Sequence, residues 1–545
     1  MPFRRSLAAL VLALCAVLAP ATGASARVFP GVVIDGPAPD LTSVGGVSLA
    51  PDGSGTVAYI KGDGGVPHVF IADERRGLWR APQRVDTTLT AAASQPVVAV
   101  ADGGRAAIAF VSGGTVYAAV RPAGAPAFAP PQPLAEGSDP AIDMSVLGSS
   151  YVVFSSGNQV RAANAGPTDA AFTLVADPLN RDPSQPAGSV LPGGRPRVAA
   201  SADGTAIAAW GEREADGHEH VIARRLLRTT LSVLPQDLSV SSLAGHVGGD
   251  ADSPDVGIQF DSSFVWITYR QQLDGVPRAL ARRLVGSTLG DPLIMDGQAF
   301  PASDPAGAPD IAMNGTGGGV QTVGRGTSRE VFATTLTAKD IFRTPVRLDT
   351  GTVNLVDPQP AAAFGDRGVG YVAWLQATGP TDPPALHGRQ VAPNGRWRPQ
   401  SRLTNLALGA VDPNGGVRVA ADRLDDTVVV AVQAAADGTR RLVAAMVDGP
   451  PRRFFTFTRN VTAGHISVDW GPALDLWGPV RYQVQIDGKT VGRTARTRFT
   501  LHRRLCAARH SWRVVATDRR GQHTATATRV LVVHGGKPCP PKKKH

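Results

Sequence analysis

The sequence predicts an all-β fold built from a repeated segment of about 50 residues. A proline or glycine precedes an aromatic or aliphatic residue by fourteen positions along most of the chain, at Gly46/Ile60, Pro96/Phe110, Pro140/Phe154, Pro196/Trp210, Pro309/Val323, Pro360/Trp374 and Gly416/Val430. The apolar stretches are four to six residues long, too short for helices. The 61 glycines and 44 prolines suit many short strands joined by tight turns. A period of this length indicates units that bury their apolar faces only by packing on their neighbours.

Each segment is predicted to contain four strands. Val97–Val100, a glycine turn and Ala106–Phe110 have the pattern of a β-hairpin, and Val116–Val120 is a third strand. A proline-containing phrase then recurs at residues 78–85, 341–348 and 396–403. Because proline within a sheet is confined to edges and bulges, this phrase is assigned to the outermost strand.

Four antiparallel strands, with small residues on the first and proline on the last, describe the blade of a β-propeller. Units near residues 46, 96, 140, 196, 254, 309, 360 and 416 predict eight blades, and the two degenerate units near 254 and 309 keep seven as the alternative. The stretch Arg27–Asp35 is predicted to complete the last blade and close the ring. In these features residues 27–450 resemble secreted β-propeller repeat proteins in general.

Residues 1–26 are predicted to be a secretory signal peptide. Arg4 and Arg5 precede the apolar run Leu7–Leu18, and Ala24-Ser25-Ala26 has the small residues of a cleavage site. Arg4-Arg5 also leaves a twin-arginine export route open. No later segment has the 18 apolar residues of a membrane span, so a secreted, extracellular and monomeric protein is expected.

Residues 451–536 have a different pattern, of short alternating strands. Trp470, Tyr482-x-Val484 followed by Asp487-Gly488, and Trp512-x-Val514-x-Ala516 resemble a fibronectin type III domain, an immunoglobulin-like β-sandwich. The resemblance implies a binding or spacer module without catalytic residues. Cys506 and Cys539 remain after signal removal, and an even count in an oxidising compartment predicts one disulfide. Residues 537–545 form a basic tail.

The charge is unevenly distributed. The net charge is +10, yet residues 451–545 contain 19 Lys and Arg against four acids, so the segment 27–450 is net negative. Arginines in the C-terminal segment are predicted to bind an anionic polysaccharide or cell-envelope polymer: Arg493, Arg496, Arg498, Arg503, Arg504, Arg509, Arg519 and Arg520. A generally basic surface is the simpler interpretation. No specific nucleic-acid site is predicted.

Acidic residues at the blade starts, each just before a proline, form a second candidate site. Asp139, Asp252, Asp304, Asp357 and Asp412 are predicted to lie at one mouth of the propeller channel, as ligands for Ca²⁺ or for a polyhydroxylated or cationic molecule. The simpler interpretation is that acids before proline start turns. Asp216, His218 and His220 are a weaker metal candidate, because no second cluster completes a tetrahedral site.

The sequence contains no nucleophilic-serine elbow, phosphate loop or assignable acid–base pair, so a secreted, non-catalytic binding protein is expected, without a cofactor. The alternative is an extracellular carbohydrate-active hydrolase or lyase. That alternative predicts that two or more acids converge in one mouth of the propeller with raised pKa values.

Overall fold

A computed structural model describes residues 26–231, 234–259, 264–296, 304–325, 330–350, 354–355, 360–377, 379, 382–462, 465–502, 505–534 and 537–539. The predicted signal peptide and most of the basic tail lie outside these residues. The chain divides into two compact units. Val28–Asp448 with Leu476–Gly478 form the repeat unit, and Gly449–Asp475 with Pro479–His545 belong to the C-terminal unit. No α-helix occurs among the described residues, which confirms the all-β prediction.

The repeat unit contains eight antiparallel sheets within its described residues, numbered here in chain order. Their strands are as follows. Sheet 1 comprises Leu41–Leu49, Gly55–Asp63, Val66–Arg75, Leu78–Trp79 and Gln83–Arg84; sheet 2, Ala93–Ala101, Arg105–Ser112, Thr115–Arg121 and Gln132–Glu136; sheet 3, Ser138–Met144, Ser150–Ser156, Gln159–Ala165 and Thr173–Leu174; and sheet 4, Arg197–Ala200, Thr205–Arg213, Glu219–Leu227, Thr230–Leu231 and Gln236–Asp237.

The other four sheets are built in the same way. Sheet 5 comprises Ser242–Leu243, His246–Ile258, Val265–Leu273, Val276–Val285, Thr288–Leu289 and Leu293–Ile294; sheet 6, Asp310–Met313, Gly319–Arg325, Glu330–Leu336 and Val346–Arg347; sheet 7, Asn354–Leu355, Ala361–Phe364, Gly370–Ala377, Ala385–Val391 and Ser401–Arg402; and sheet 8, Ala410–Val411, Val417–Ala421, Thr427–Ala434, Arg440–Asp448 and Arg27–Ala38. Short 3₁₀ turns occur at Asp102–Gly104, Gly188–Val190, Leu406–Leu408 and Pro413–Gly415.

The eight sheets close into a ring through their inner strands. These are the strands that begin at Leu41, Ala93, Ser138, Arg197, His246, Asp310, Ala361 and Val417. Each inner strand packs against the inner strand of the next sheet, and that of sheet 8 packs against that of sheet 1. The strand Arg27–Ala38 pairs with the outer strand Arg440–Asp448 of sheet 8. This arrangement is β-propeller-like, as the sequence predicts.

The repeated spacing follows from the register of the inner hairpins. Val97 pairs with Ala109, directly before the fully buried Phe110. Arg197 likewise pairs with Ala209, directly before Trp210. In sheet 5 the equivalent paired residues are Asp255 and Thr268, which are one position further apart in the chain than Arg197 and Ala209 are. The reason is that the loop after Ile258 is one residue longer than the corresponding loop of sheet 6.

The C-terminal unit contains two antiparallel sheets. One comprises Thr456–Thr462, His465–Trp470 and Arg498–Leu501; the other, Arg481–Ile486, Lys489–Thr494, Arg509–Thr517, His523–Ala525 and Arg529–Val532. Trp470, Tyr482 and Trp512 pack together in the core between these sheets. The predicted disulfide between Cys506 and Cys539 is present, with 4.9 Å between the Cα atoms.

Candidate functional site

Four charged residues occupy one level of the ring of inner strands, which we call the axial level. The hairpin registers make eight residues equivalent: Gly46, Val97, Ala141, Arg197, Asp255, Asp310, Ala361 and Arg418. Sheets 4, 5, 6 and 8 thus carry a charge where the other four carry a small or apolar side chain. Because the inner strands face the centre of the ring, the charged groups converge there.

Asp255 and Asp310 form a hydrogen-bonded carboxyl pair at this level. Each carboxyl group also accepts a backbone N–H from the next sheet, Asp255 Oδ2 from Ile311 at 2.8 Å and Asp310 Oδ2 from Ala362 at 2.7 Å. These backbone bonds hold both groups in place, and two carboxylates in contact cannot both ionise without repulsion. The pair therefore shares a proton around neutral pH.

The environment raises the pKa values of both members of the pair. Burial is the largest cause for each group. The neighbouring charge of Asp255 adds to it, and together they raise the pKa of Asp310 to about 8, despite the opposing backbone hydrogen bond and the positive charges of Arg197 and Arg418. Asp310 thus keeps a proton at neutral pH.

Two arginines complete the axial level. Arg197 Nε lies 3.7 Å from Asp255 Oδ1, and its side chain is 47% exposed. Arg418 donates from Nε to the Gly45 carbonyl at 2.6 Å and from Nη1 to its neighbour Val417 at 2.9 Å. Arg418 is solvent-exposed although protein atoms surround it, as expected for a side chain inside a water-filled channel.

A third carboxyl group, Asp143, lies further along the channel. Its Oδ2 accepts the N–H of Ala200 at 2.7 Å, and burial raises its pKa to about 6 against the hydrogen bonds from Ala200 and Met144. Asp143 lines a cavity of about 220 Å³ at the carboxyl ends of the inner strands. All eight sheets contribute to its wall, through Leu49, Val100, Met144, Ala200, Ile258, Met313, Phe364 and Ala421. A second cavity of about 350 Å³ shares Phe364 and Asp366 with it.

The acids predicted before the prolines are mostly paired with arginines. Asp139 contacts Gln95 through two hydrogen bonds and Arg195 at 3.1 Å. Asp252 pairs with Arg270, Asp412 pairs with Arg440, and the Asp304 backbone carbonyl accepts from Arg325. Asp357 lies outside the described residues. A shared cation at these acids stays a prediction.

The histidines of sheet 4 bind nearby carboxylates. His220 contacts Asp237 at 2.7 Å and Asp216 at 3.1 Å, and His218 contacts Asp250 at 3.0 Å. Within the described residues, the one group of His, Cys, Asp and Glu side chains close enough to share a metal is Cys506, His510 and Cys539. Since both of these cysteines are in the disulfide, their sulfurs are not free thiolates.

The predicted basic residues do not share one surface of the C-terminal unit. Arg493 and Arg509 lie exposed on the outer face of the five-stranded sheet, where Arg481 and Arg513 accompany them. Arg481 and Arg513 were not among the predicted residues, although the alternation of inward and outward side chains along each strand indicates that they are exposed on this face. The other named residues lie elsewhere: Arg496 in a turn, Arg498 against Asp469, Arg519 and Arg520 in a turn, and Arg503 and Arg504 outside the described residues.

The four charged residues of the axial level were not among the predicted site residues either. Arg197, Asp255 and Asp310 each follow a repeated proline directly, whereas the prediction considered acids that precede prolines at the blade starts. In sheets 2, 3 and 5 the residue before the proline has a positive φ, at Gln95, Asp139 and Ser253, within an irregular stretch of pairing. The regular strand begins after the proline, so the channel-facing position also begins there.

No family model matches this chain, and no curated protein matches it. Solved structures of similar fold include the Dos1 propeller (8% identity, 77% of this chain and 94% of that chain, TM-score 0.43). A second is the α-L-arabinanase of Penicillium chrysogenum in complex with arabinobiose (10% identity, 57% of this chain and 92% of that chain, TM-score 0.35). A third is the GH62 α-L-arabinofuranosidase catalytic domain of Coprinopsis cinerea (8% identity, 46% of this chain and 90% of that chain, TM-score 0.25).

The prediction of a non-catalytic protein is wrong. Enzymes are among the solved structures of similar fold, including the arabinanase and the arabinofuranosidase above. The axial level also agrees with the enzymatic alternative, since Asp255 and Asp310 converge within the channel with raised pKa values. The physical reason for the error is that the sequence gives no sign of which acids from separate repeats meet in the channel.

Proposed function

We propose that this protein is an extracellular carbohydrate-active hydrolase whose site is the axial channel of an eight-bladed β-propeller. In this proposal each of the eight sheets is one blade, and the C-terminal unit is a fibronectin type III-like sandwich. Export rests on the signal peptide predicted at residues 1–26. The observation that carries the proposal is the proton-sharing pair of Asp255 and Asp310, because a hydrolase needs an acid that is still protonated at neutral pH.

Asp310 is the proposed general acid and Asp143 the proposed base. Asp310 gives its proton to the glycosidic oxygen as the bond to the anomeric carbon breaks, while Asp143 takes a proton from the attacking water. The register places Asp143 two residues further along its strand than Asp310. That offset is a rise of about 7 Å along the channel, and the width of the channel between sheets 3 and 6 adds to it, so the two groups are far enough apart for a water to lie between them.

A hydrolysis assay on a panel of polysaccharides tests the proposal. On the polymer that is cleaved, Asp310→Asn and Asp143→Asn should each lower kcat/KM by about 100-fold or more, since each removes one proton-transfer group. Asp437→Asn, in an exposed turn, is the matched control and should leave the rate unchanged.

The pH dependence gives a second readout. The base must be ionised and the acid protonated, so kcat/KM should be highest between pH values of about 6 and about 8 and should fall on both sides. Absence of cleavage across the panel, or full activity of both variants, would refute the proposal.

An attachment role is proposed for the C-terminal unit. Arg481, Arg493, Arg509 and Arg513 lie exposed on one sheet face, and no acid alternates with them on these strands. Such a face attracts anionic polymers through a salt-dependent interaction. Binding to immobilised heparin that resists 0.5 M salt, or that survives replacement of all four arginines by glutamine, would contradict this role.

A further inference from the structure

We propose that the sugar units bound in the axial channel carry a negative charge, so that the substrate is an acidic polysaccharide. This inference rests on the proposed hydrolase function and specifies its substrate class. The charges at the axial level carry it. Arg197 and Arg418 contribute two positive charges, and Asp255 and Asp310 together contribute at most one negative charge while Asp310 holds its proton.

The arginines have unused hydrogen-bonding capacity. None of the ion pairs among the described residues includes Arg418, which donates only to the Gly45 and Val417 carbonyls. Its Nη2 therefore has no acceptor among those residues. Arg197 makes a long contact with Asp255 and a marginal bond to its neighbouring Pro196 carbonyl. A guanidinium with free N–H groups matches the two oxygens of a carboxylate or sulfate.

The charge also changes along the channel. Arg195 lies beyond the axial level at the amino ends of the inner strands, and its partner Asp139 neutralises it. Asp143, Asp366 and Asp422 line the cavity at the opposite end, accompanied there by Arg423. The net positive region is thus the axial level itself, and an anionic group is favoured at the point where Asp310 holds its proton.

Arg418 has a structural role that the test must separate from ligand binding. Its bond to Gly45 links sheet 8 to sheet 1, so its loss affects stability as well as charge. Arg197 has no comparable bond to a neighbouring sheet apart from the 3.7 Å contact with Asp255, and its side chain is half-exposed. A variant of Arg197 is therefore expected to fold, and it keeps the inference testable if a variant of Arg418 does not.

The experiment measures binding by calorimetry in an Asp310→Asn background, where turnover is blocked. The probes are the trimer of galacturonic acid, a sulfated galactose trimer and the uncharged galactose trimer. The acidic trimers should bind at least about tenfold more tightly than the uncharged trimer, and the stronger of the two identifies the anionic group. Arg197→Gln and Arg418→Gln should each remove about tenfold of that affinity, with Arg418→Lys restoring part of it.

Arg213→Gln, in an exposed ion pair with Glu219, removes the same charge away from the channel and should change nothing. Equal affinity for charged and uncharged trimers, or acidic-trimer binding that survives both glutamine variants, would overturn the inference. Cleavage of an uncharged polymer by Arg197→Gln and Arg418→Gln proteins that retain Asp310 would overturn it while the hydrolase proposal stands. Arginine-dependent binding of an acidic trimer without cleavage of any polymer would support it and refute the hydrolase.

Discussion

At the scale of single residues, Asp310 links the proposed chemistry to the stability of the fold. Its pKa is raised to about 8 in the folded protein and is about 3.9 in an unfolded chain. The folded state therefore holds a proton that the unfolded state has lost between these pH values. Stability from this group is complete below pH 4 and is lost as the pH rises to about 8, at up to about 1.4 kcal/mol per pH unit.

Asp310→Asn should flatten this dependence, because the amide is neutral at every pH and its oxygen still accepts the Ala362 N–H. Thermal unfolding between pH 5 and 9 is the measurement, and the variant should gain stability relative to the natural protein as the pH rises. Asp437→Asn should run parallel to the natural protein over this range, because the pKa of Asp437 is lowered. A constant difference between Asp310→Asn and the natural protein would show that Asp310 is ionised throughout.

The residues of the candidate site were only partly predictable. The repeated proline marks where the regular part of each inner strand begins, and the sequence shows Arg197, Asp255 and Asp310 directly after it. Their meeting depends on closure of the ring, which brings together residues 113 positions apart in the chain. The proton shared by Asp255 and Asp310 arises from that contact, so no local pattern predicts it.

At the scale of elements, neighbouring sheets are joined by buried polar contacts as well as by apolar packing. Arg121 of sheet 2 is 2% exposed and contacts Asp73 of sheet 1 at 2.7 Å. Its Nη2 also donates to Thr56 Oγ1 at 3.2 Å, and that hydroxyl donates to Asp73 at 2.7 Å. The aspartate thus receives two hydrogen bonds, and the arginine reaches across the junction between the two sheets.

Removing one charge of this pair should destabilise the repeat unit more than removing both. Asp73→Leu leaves a buried arginine without its partner and should cost about 3–5 kcal/mol of unfolding free energy, whereas Asp73→Leu with Arg121→Met should recover most of that loss. Urea denaturation is the measurement. Glu219→Gln, in the exposed pair with Arg213, should cost less than about 1 kcal/mol. Equal losses in the single and double variants would show that packing, rather than charge, joins the sheets.

The hairpins were the most predictable elements, because turn glycines and alternating apolar residues lie next to each other in the chain. Val97–Val100 and Ala106–Phe110 fall within adjacent strands of sheet 2. The outer strands were less predictable in length, since only short pieces such as Leu78–Trp79 and Gln83–Arg84 pair with their neighbour. Pro82 separates these pieces because it lacks the N–H that a continuous strand donates.

At the scale of the whole molecule, the ring of sheets is closed by the two ends of the repeat unit. The strand Arg27–Ala38 pairs with Arg440–Asp448, so residues about 400 positions apart complete sheet 8. The sequence predicted this closure from the apolar stretch Val32-Val33-Ile34, and Ile34 is buried in the core shared by sheets 1 and 8. No helix among the described residues is long and apolar enough to span a membrane.

Deletion of residues 26–38 should therefore expose the edge of Arg440–Asp448 and destabilise the whole ring, because an unpaired strand edge is a template for aggregation. Size-exclusion chromatography should show oligomers, and the thermal transition of the repeat unit should fall. A synthetic peptide of residues 26–38 should restore both properties, whereas the same peptide with Ile34→Asp should not, since it places a charge in that core. A truncated protein that remains monomeric with an unchanged transition would show that the inner strands alone hold the ring closed.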